Sequence, residues 1–126
     1  MDIEILKYDT REGILLAKKH RLYVPNKNWN LFETYDILLN SNRINDAAIY
    51  LAKCNDIYVG VVLLYHNSMN IFVKKLFRRK GIGSLLVFKA NDDYKNNIKY
   101  GYGINNSYKF FNKLEDEGIR FKNGAE

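Results

Sequence analysis

The stretch AAIYLAKCNDIYVGVVLLYHNSMNIFV, residues 47–73, most constrains what this chain can fold into. Three runs rich in β-branched, aromatic and aliphatic residues, 47–53, 57–65 and 69–73, are separated only by CND and HNS. Runs of that composition read as strands. Connections this short return the chain directly alongside itself, so the three strands form an antiparallel meander.

The flanks supply helices. Residues 3–8 alternate apolar and polar side chains and read as an edge strand. Asp9 and Thr10 can cap a helix over residues 11–22, with Pro25 ending that element. A second helix fits residues 29–39, where Leu31, Tyr35, Leu38 and Leu39 share one face, and 40–46 is a turn cluster. Beyond the meander, a helix over 81–94 carries Ile82, Leu85, Leu86 and Ala90 as its buried stripe. Residues 98–104 form a further strand. The stretch 105–117 is a helix capped by Asn105 or Asn106, with Phe110, Phe111 and Leu114 inward, and 119–123 offers one last short strand. The order is β-α-α-β-β-β-α-β-α with a final β, an α+β chain with a mixed sheet. Its one crossover unit makes strands 69–73 and 98–104 parallel.

With 126 residues, one proline and no Gly/Ser-rich run, the chain reads as a single domain over residues 1–126. Its 47% hydrophobic content excludes a disordered chain. The formal net charge of +6 favours an anionic partner: nucleic acid, a phosphorylated cofactor or a charged surface. The single cysteine, Cys54, excludes an intramolecular disulfide and suits a reducing cytoplasm. No signal pattern opens the sequence, and no apolar run approaches the roughly 20 residues of a membrane span. A soluble, cytoplasmic protein is expected. One cysteine and two scattered histidines give no metal-ligand spacing, so no metal is expected.

The chemistry concentrates in KKLFRRKGIGSLL, residues 74–86, where five of the first seven residues are cationic. The first turn of a helix leaves backbone N–H groups unpaired at the positive end of its dipole. Glycines let a bulky anion approach that backbone, and Arg78, Arg79 and Lys80 add charge. The combination suits a diphosphate. It is not a Walker loop, because Lys80 precedes the glycine that it would have to follow. Nor is it a dinucleotide fingerprint, since Leu86 stands at the third glycine.

The spacing Arg78-x-x-Gly81-x-Gly83 resembles motif A of the GNAT acyl-CoA N-acyltransferases, Q/R-x-x-G-x-G/A. NIFVKKLFRRKGIGSLLV carries the strand, the aromatic before the arginine (Phe77) and the helix start of that family. YVGVVLLY is similar to its preceding strand, and KFFNKL to its last helix. The resemblance covers most of the chain and is strongest over residues 58–114. It implies a GNAT-like fold and an acetyl-CoA-dependent N-acetyltransferase. Amides from Arg79 through Lys80, Gly81, Ile82 and Gly83 to Ser84 would hold the acyl-CoA pyrophosphate. Ile71, Phe72 and Val73 would pair with the pantetheine arm, with Asn105 nearby. The parallel strands would splay around the thioester.

The same resemblance exposes gaps. Many relatives place a tyrosine in the last helix as general acid; that position here is Phe111, leaving Tyr108, one turn earlier, as the candidate catalytic residue. No carboxylate sits on the strand after motif A, so Glu33, Asp36 or His66 would have to serve as base, unless positioning alone suffices. Cys54 has no evident base beside it and reads as structural. Only GIRFKNGAE follows the last helix, a short end that leaves an edge on which a homodimer could form. Three readings stand: an acetyltransferase whose acceptor is a protein, a small amine or an aminoacyl-tRNA; a catalytically weakened descendant kept as a binding or assembly module, of the kind phage genomes carry; and a nucleic-acid-binding domain using Lys74, Lys75, Arg78, Arg79 and Lys80.

Overall fold

The computed structural model describes residues 2–24, 31–65, 68–94 and 100–102. Their order is β1 (Ile3–Tyr8), α1 (Thr10–Lys19), α2 (Leu31–Leu39), β2 (Ala48–Cys54), β3 (Ile57–Tyr65), β4 (Ser68–Val73), α3 (Ile82–Tyr94) and β5 (Tyr100–Tyr102). Single 3-10 turns occupy Ile44–Asp46 and Lys75–Phe77. The five strands form one sheet in the order β1-β2-β3-β4-β5. Neighbours are antiparallel except β4 and β5, which run parallel as the crossover requires.

The β2–β3 connection is tighter than the sequence suggests. Asn55 and Asp56 both adopt left-handed backbone, at φ 48° and 72°, and form a two-residue hairpin turn. Asn and Asp are the non-glycine residues that best tolerate that region. Cys54 therefore belongs to β2, where it is buried, and not to the turn. Past the turn the register shifts between Ala52 and Lys53, leaving Val59 as a bulged residue in β3.

Helices cover both faces of the sheet. On one, Ile14 and Ala17 of α1, Leu22, and Leu31, Tyr35 and Leu38 of α2 pack on Ile49, Leu51, Val61, Leu63 and Phe72. On the other, Ile82, Leu86, Val87 and Ala90 of α3 pack on Tyr50, Ala52, Val62, Leu64, Met69 and Ile71. Leu85 is not part of the α3 stripe; it is 43% exposed, and Val87 is buried instead. Ile82, Leu86 and Ala90 drift around the helix in the direction of Val87, which turns Leu85 outward.

Helix α1 starts at its expected cap, the Asp9 carboxylate accepting from the Glu12 amide at 3.4 Å. The Thr10 hydroxyl donates to the Ala47 carbonyl at 2.7 Å and ties this start to the entrance of β2. The helix ends at Lys19, three residues before the expected Leu22. Arg21 turns left-handed at φ 57°, and the Leu22 amide donates back to the Ala17 carbonyl at 2.8 Å. That local reversal, and not Pro25, terminates the helix and drops Leu22 into the core. The Tyr35 hydroxyl then donates to the Leu22 carbonyl at 2.8 Å, and burial pushes its pKa upward. Among the described residues no helix is long and apolar enough to cross a membrane.

Candidate functional site

The site is built where β4 hands the chain to α3. The Lys74 amide donates to the Val59 carbonyl at 2.9 Å, the last tie to the sheet. Residues 75–77 make one 3-10 turn, and Arg78 folds back on the strand it has just left. Its Nε donates to the Val73 carbonyl at 2.8 Å, and its guanidinium lies 5.7 Å from the Phe72 ring centre. Arg79 and Gly81 both take left-handed backbone, at φ 62° and 82°. The first N–H to close a helical bond is that of Leu85, to the Gly81 carbonyl at 3.0 Å.

Six consecutive amides, from Arg79 to Ser84, therefore donate to no carbonyl among the described residues. They lie at the positive end of the α3 dipole. A Cβ at Gly81 would meet nothing within 4 Å, so backbone conformation, not crowding within the chain, favours glycine there. Around this turn Lys75, Arg78, Arg79 and Lys80 are exposed and Lys74 is half-buried. Among the described residues none of the five is in a salt bridge. Amides without a carbonyl partner beside a cluster of cations suit a phosphate-bearing ligand.

The expected contact residues divide by role. The Ile71 side chain packs on the α3 face and that of Phe72 on the α1–α2 face, so either could offer a ligand only its backbone. Val73 is half-buried, and its carbonyl already receives Arg78. The Arg78 side chain thus braces the strand end. Ile82 is buried beneath α3 and anchors the helix, leaving its N–H for a ligand. Asn105, Tyr108, Phe111 and His66 lie outside the described residues.

Two of the candidate bases, Glu33 and Asp36, lie on α2. Asp36 pairs with Lys18 at 2.5 Å and links α2 to α1, while Glu33 is exposed on α2. Among the described residues no group of three or more His, Cys, Asp and Glu could hold a metal ion. Sequence spacing missed one cluster on the α1 side. The hydroxyls of Tyr8 and Tyr58 share a hydrogen bond at 2.6 Å, and the His20 ring centre is 4.8 Å from that of Tyr58. Burial, reinforced by the bond to Tyr58, raises the Tyr8 pKa to about 12, so this hydroxyl keeps its proton at neutral pH.

Burial, followed by the charges of Lys19 and Lys74, lowers the His20 pKa from its ordinary value. On acidification the unfolded chain takes up this proton first, so the stability His20 contributes above about pH 6.5 is lost as pH falls. The melting temperature should drop as pH falls below about 6.5. His20→Gln should flatten part of that drop, read as melting temperature against pH for both proteins. Parallel profiles would show that His20 is not linked to folding.

No protein-family model matches the chain, and no curated protein matches it in sequence. Solved structures do match in three dimensions. A ribosomal-protein-alanine N-acetyltransferase from Brucella melitensis biovar Abortus 2308 superposes with a TM-score of 0.60 at 17% identity, over 90% of this chain and 90% of that one. A GNAT-family acetyltransferase from Streptococcus pneumoniae TIGR4 gives 0.57 at 20% identity, over 94% and 88%. The chain has the GNAT acetyltransferase fold. An aminoglycoside N-acetyltransferase solved in complex with CoA also shares this fold, at a TM-score of 0.52 and 12% identity over 95% of this chain and 88% of that one. In GNAT terms, β4, its basic glycine turn and α3 are the motif A unit that the sequence resembles.

Proposed function

We propose that this chain is an acetyl-CoA-dependent N-acetyltransferase acting on a primary amine. The β4–α3 turn carries the reading: around Gly81 and Gly83, six consecutive amides donate to no carbonyl and five cations form no salt bridge among the described residues. Amides from Arg79 to Ser84 hold the pyrophosphate, and the backbone of Ile71 to Val73 lies along the pantetheine arm. The acceptor nitrogen attacks the thioester carbonyl directly. A C–N bond forms, the C–S bond breaks, and the proton lost from nitrogen ends on the CoA thiol. A backbone N–H of β4 supports the oxyanion of the intermediate. Tyr108 is the candidate acid for the departing thiolate, and Asn105 joins the cofactor contacts. With Asp36 tied to Lys18, positioning carries much of the rate.

Free thiol release from acetyl-CoA, measured with small primary amines, protein amines and aminoacyl-tRNA, tests the reading. Turnover with at least one class is expected. Binding of acetyl-CoA without turnover on any class would favour a binding module, and no binding at all would refute the assignment. Tyr108→Phe should lower kcat with KM for acetyl-CoA unchanged; equal turnover would remove Tyr108 as the acid.

A further inference from the structure

We infer that the side-chain amide of Asn70 is where the acceptor amine is held, on the α1–α2 side of the sheet beside the β4–β5 ladder; this rests on the acetyl-transfer reading. Strand alternation fixes the direction of the side chain. Met69 and Ile71 pack into the α3 face. Phe72, two residues beyond Asn70, and Leu63, directly opposite it on β3, pack into the α1–α2 face. Asn70 points the same way. It is 5% exposed, and its Oδ1 is buried yet meets no hydrogen-bond donor among the described residues. A buried carbonyl oxygen without a donor destabilises a fold, and an apolar residue of similar volume would relieve the defect. The defect lies at a telling place. Asn70 pairs with Tyr102 in the last described rung of the parallel β4–β5 ladder. It is three residues, about 10 Å, up the strand from Val73 and the phosphate turn.

A neutral primary amine supplies what Oδ1 lacks. One of its two N–H bonds donates to the amide oxygen, and its lone pair is then directed at the thioester carbonyl. Asn70 takes no proton; it fixes orientation.

The test compares Asn70→Leu and Asn70→Asp with the wild type, using three readouts. Asn70→Leu should raise the melting temperature without ligand, leave the acetyl-CoA-induced shift intact, and raise KM for the amine about ten- to hundredfold. Asn70→Asp keeps the oxygen and should hold the amine KM within a few-fold of wild type. A lower melting temperature for Asn70→Leu would mean that Asn70 supports the fold, and would overturn the inference. An unchanged amine KM in a variant that turns over would overturn it too. If the wild type binds no acetyl-CoA, the acetyl-transfer reading fails first and this assignment falls with it.

Discussion

Acetyl-CoA at about one hundred times its Kd will raise the melting temperature by about 10 °C, and Gly83→Val will abolish that rise. A ligand that binds only the native state at that excess contributes about 2.7 kcal/mol. At about 2.1 cal/mol/K per residue, 126 residues convert this into about 10 °C. Gly83 lies in the first turn of α3, among the free amides. A β-branched side chain there adds bulk among those N–H groups and is expected to keep a phosphate from reaching them. It does not break the helix, since glycine is itself about 1 kcal/mol poorer than alanine in a helix interior. The unliganded variant should therefore melt at or above the wild-type temperature while its ligand response disappears. Gly81→Ala is the companion variant. It adds no clash but strains a backbone at φ 82°, costing about 1 kcal/mol of stability. A Gly83→Val protein that still shifts by about 10 °C would remove the phosphate cradle from this turn. Salt separates the cradle from a nucleic-acid surface, because a contact to many phosphates weakens steeply with added salt and a single diphosphate much less.

The meander was legible because composition and connection length point the same way. IYVGVVLLY can be little else than a strand, and connections as short as CND and HNS fold it back on the runs before and after it. The parallel pairing of β4 with β5 followed from the single helical crossover between them. The phosphate turn was legible because its residues are contiguous. What sequence could not display are arrangements made by packing. Arg21 carries no left-handed preference, yet it takes that conformation because Leu22 is drawn into a fully buried seat. Tyr8, His20 and Tyr58 are spread over 50 positions and meet only after α1 crosses the sheet. Asn70 is the single polar residue of the run MNIFV, and one polar residue does not show whether its face of the strand is wet or covered. Helices cover both faces of the sheet, so the amide is inside.

Gly13→Ala, ordinarily a stabilising change within a helix, should destabilise this protein by about 1–3 kcal/mol. In an exposed helix interior the same substitution gains about 1 kcal/mol. Helix α1, however, lies so close to the sheet at Gly13 that a Cβ would land on the Cγ2 methyl of Ile49, with the Tyr8 Cβ 3.1 Å away. Ile49 is fully buried, and its methyl is attached directly to a β-branch with no flexible arm to swing aside. Either α1 lifts or β2 yields, and both loosen the layer that carries Ile14, Ala17 and Leu22. Denaturant melts of a double-mutant cycle separate crowding from helix propensity. Ile49→Ala alone should cost about 2–5 kcal/mol through the cavity it leaves. In that background the colliding methyl is gone, the Tyr8 contact needs only a few tenths of an ångström, and Gly13→Ala should become neutral or stabilising. The sign of one substitution would then reverse with the removal of one neighbour. Additive costs would instead mean that α1 does not rest on Ile49 at this point.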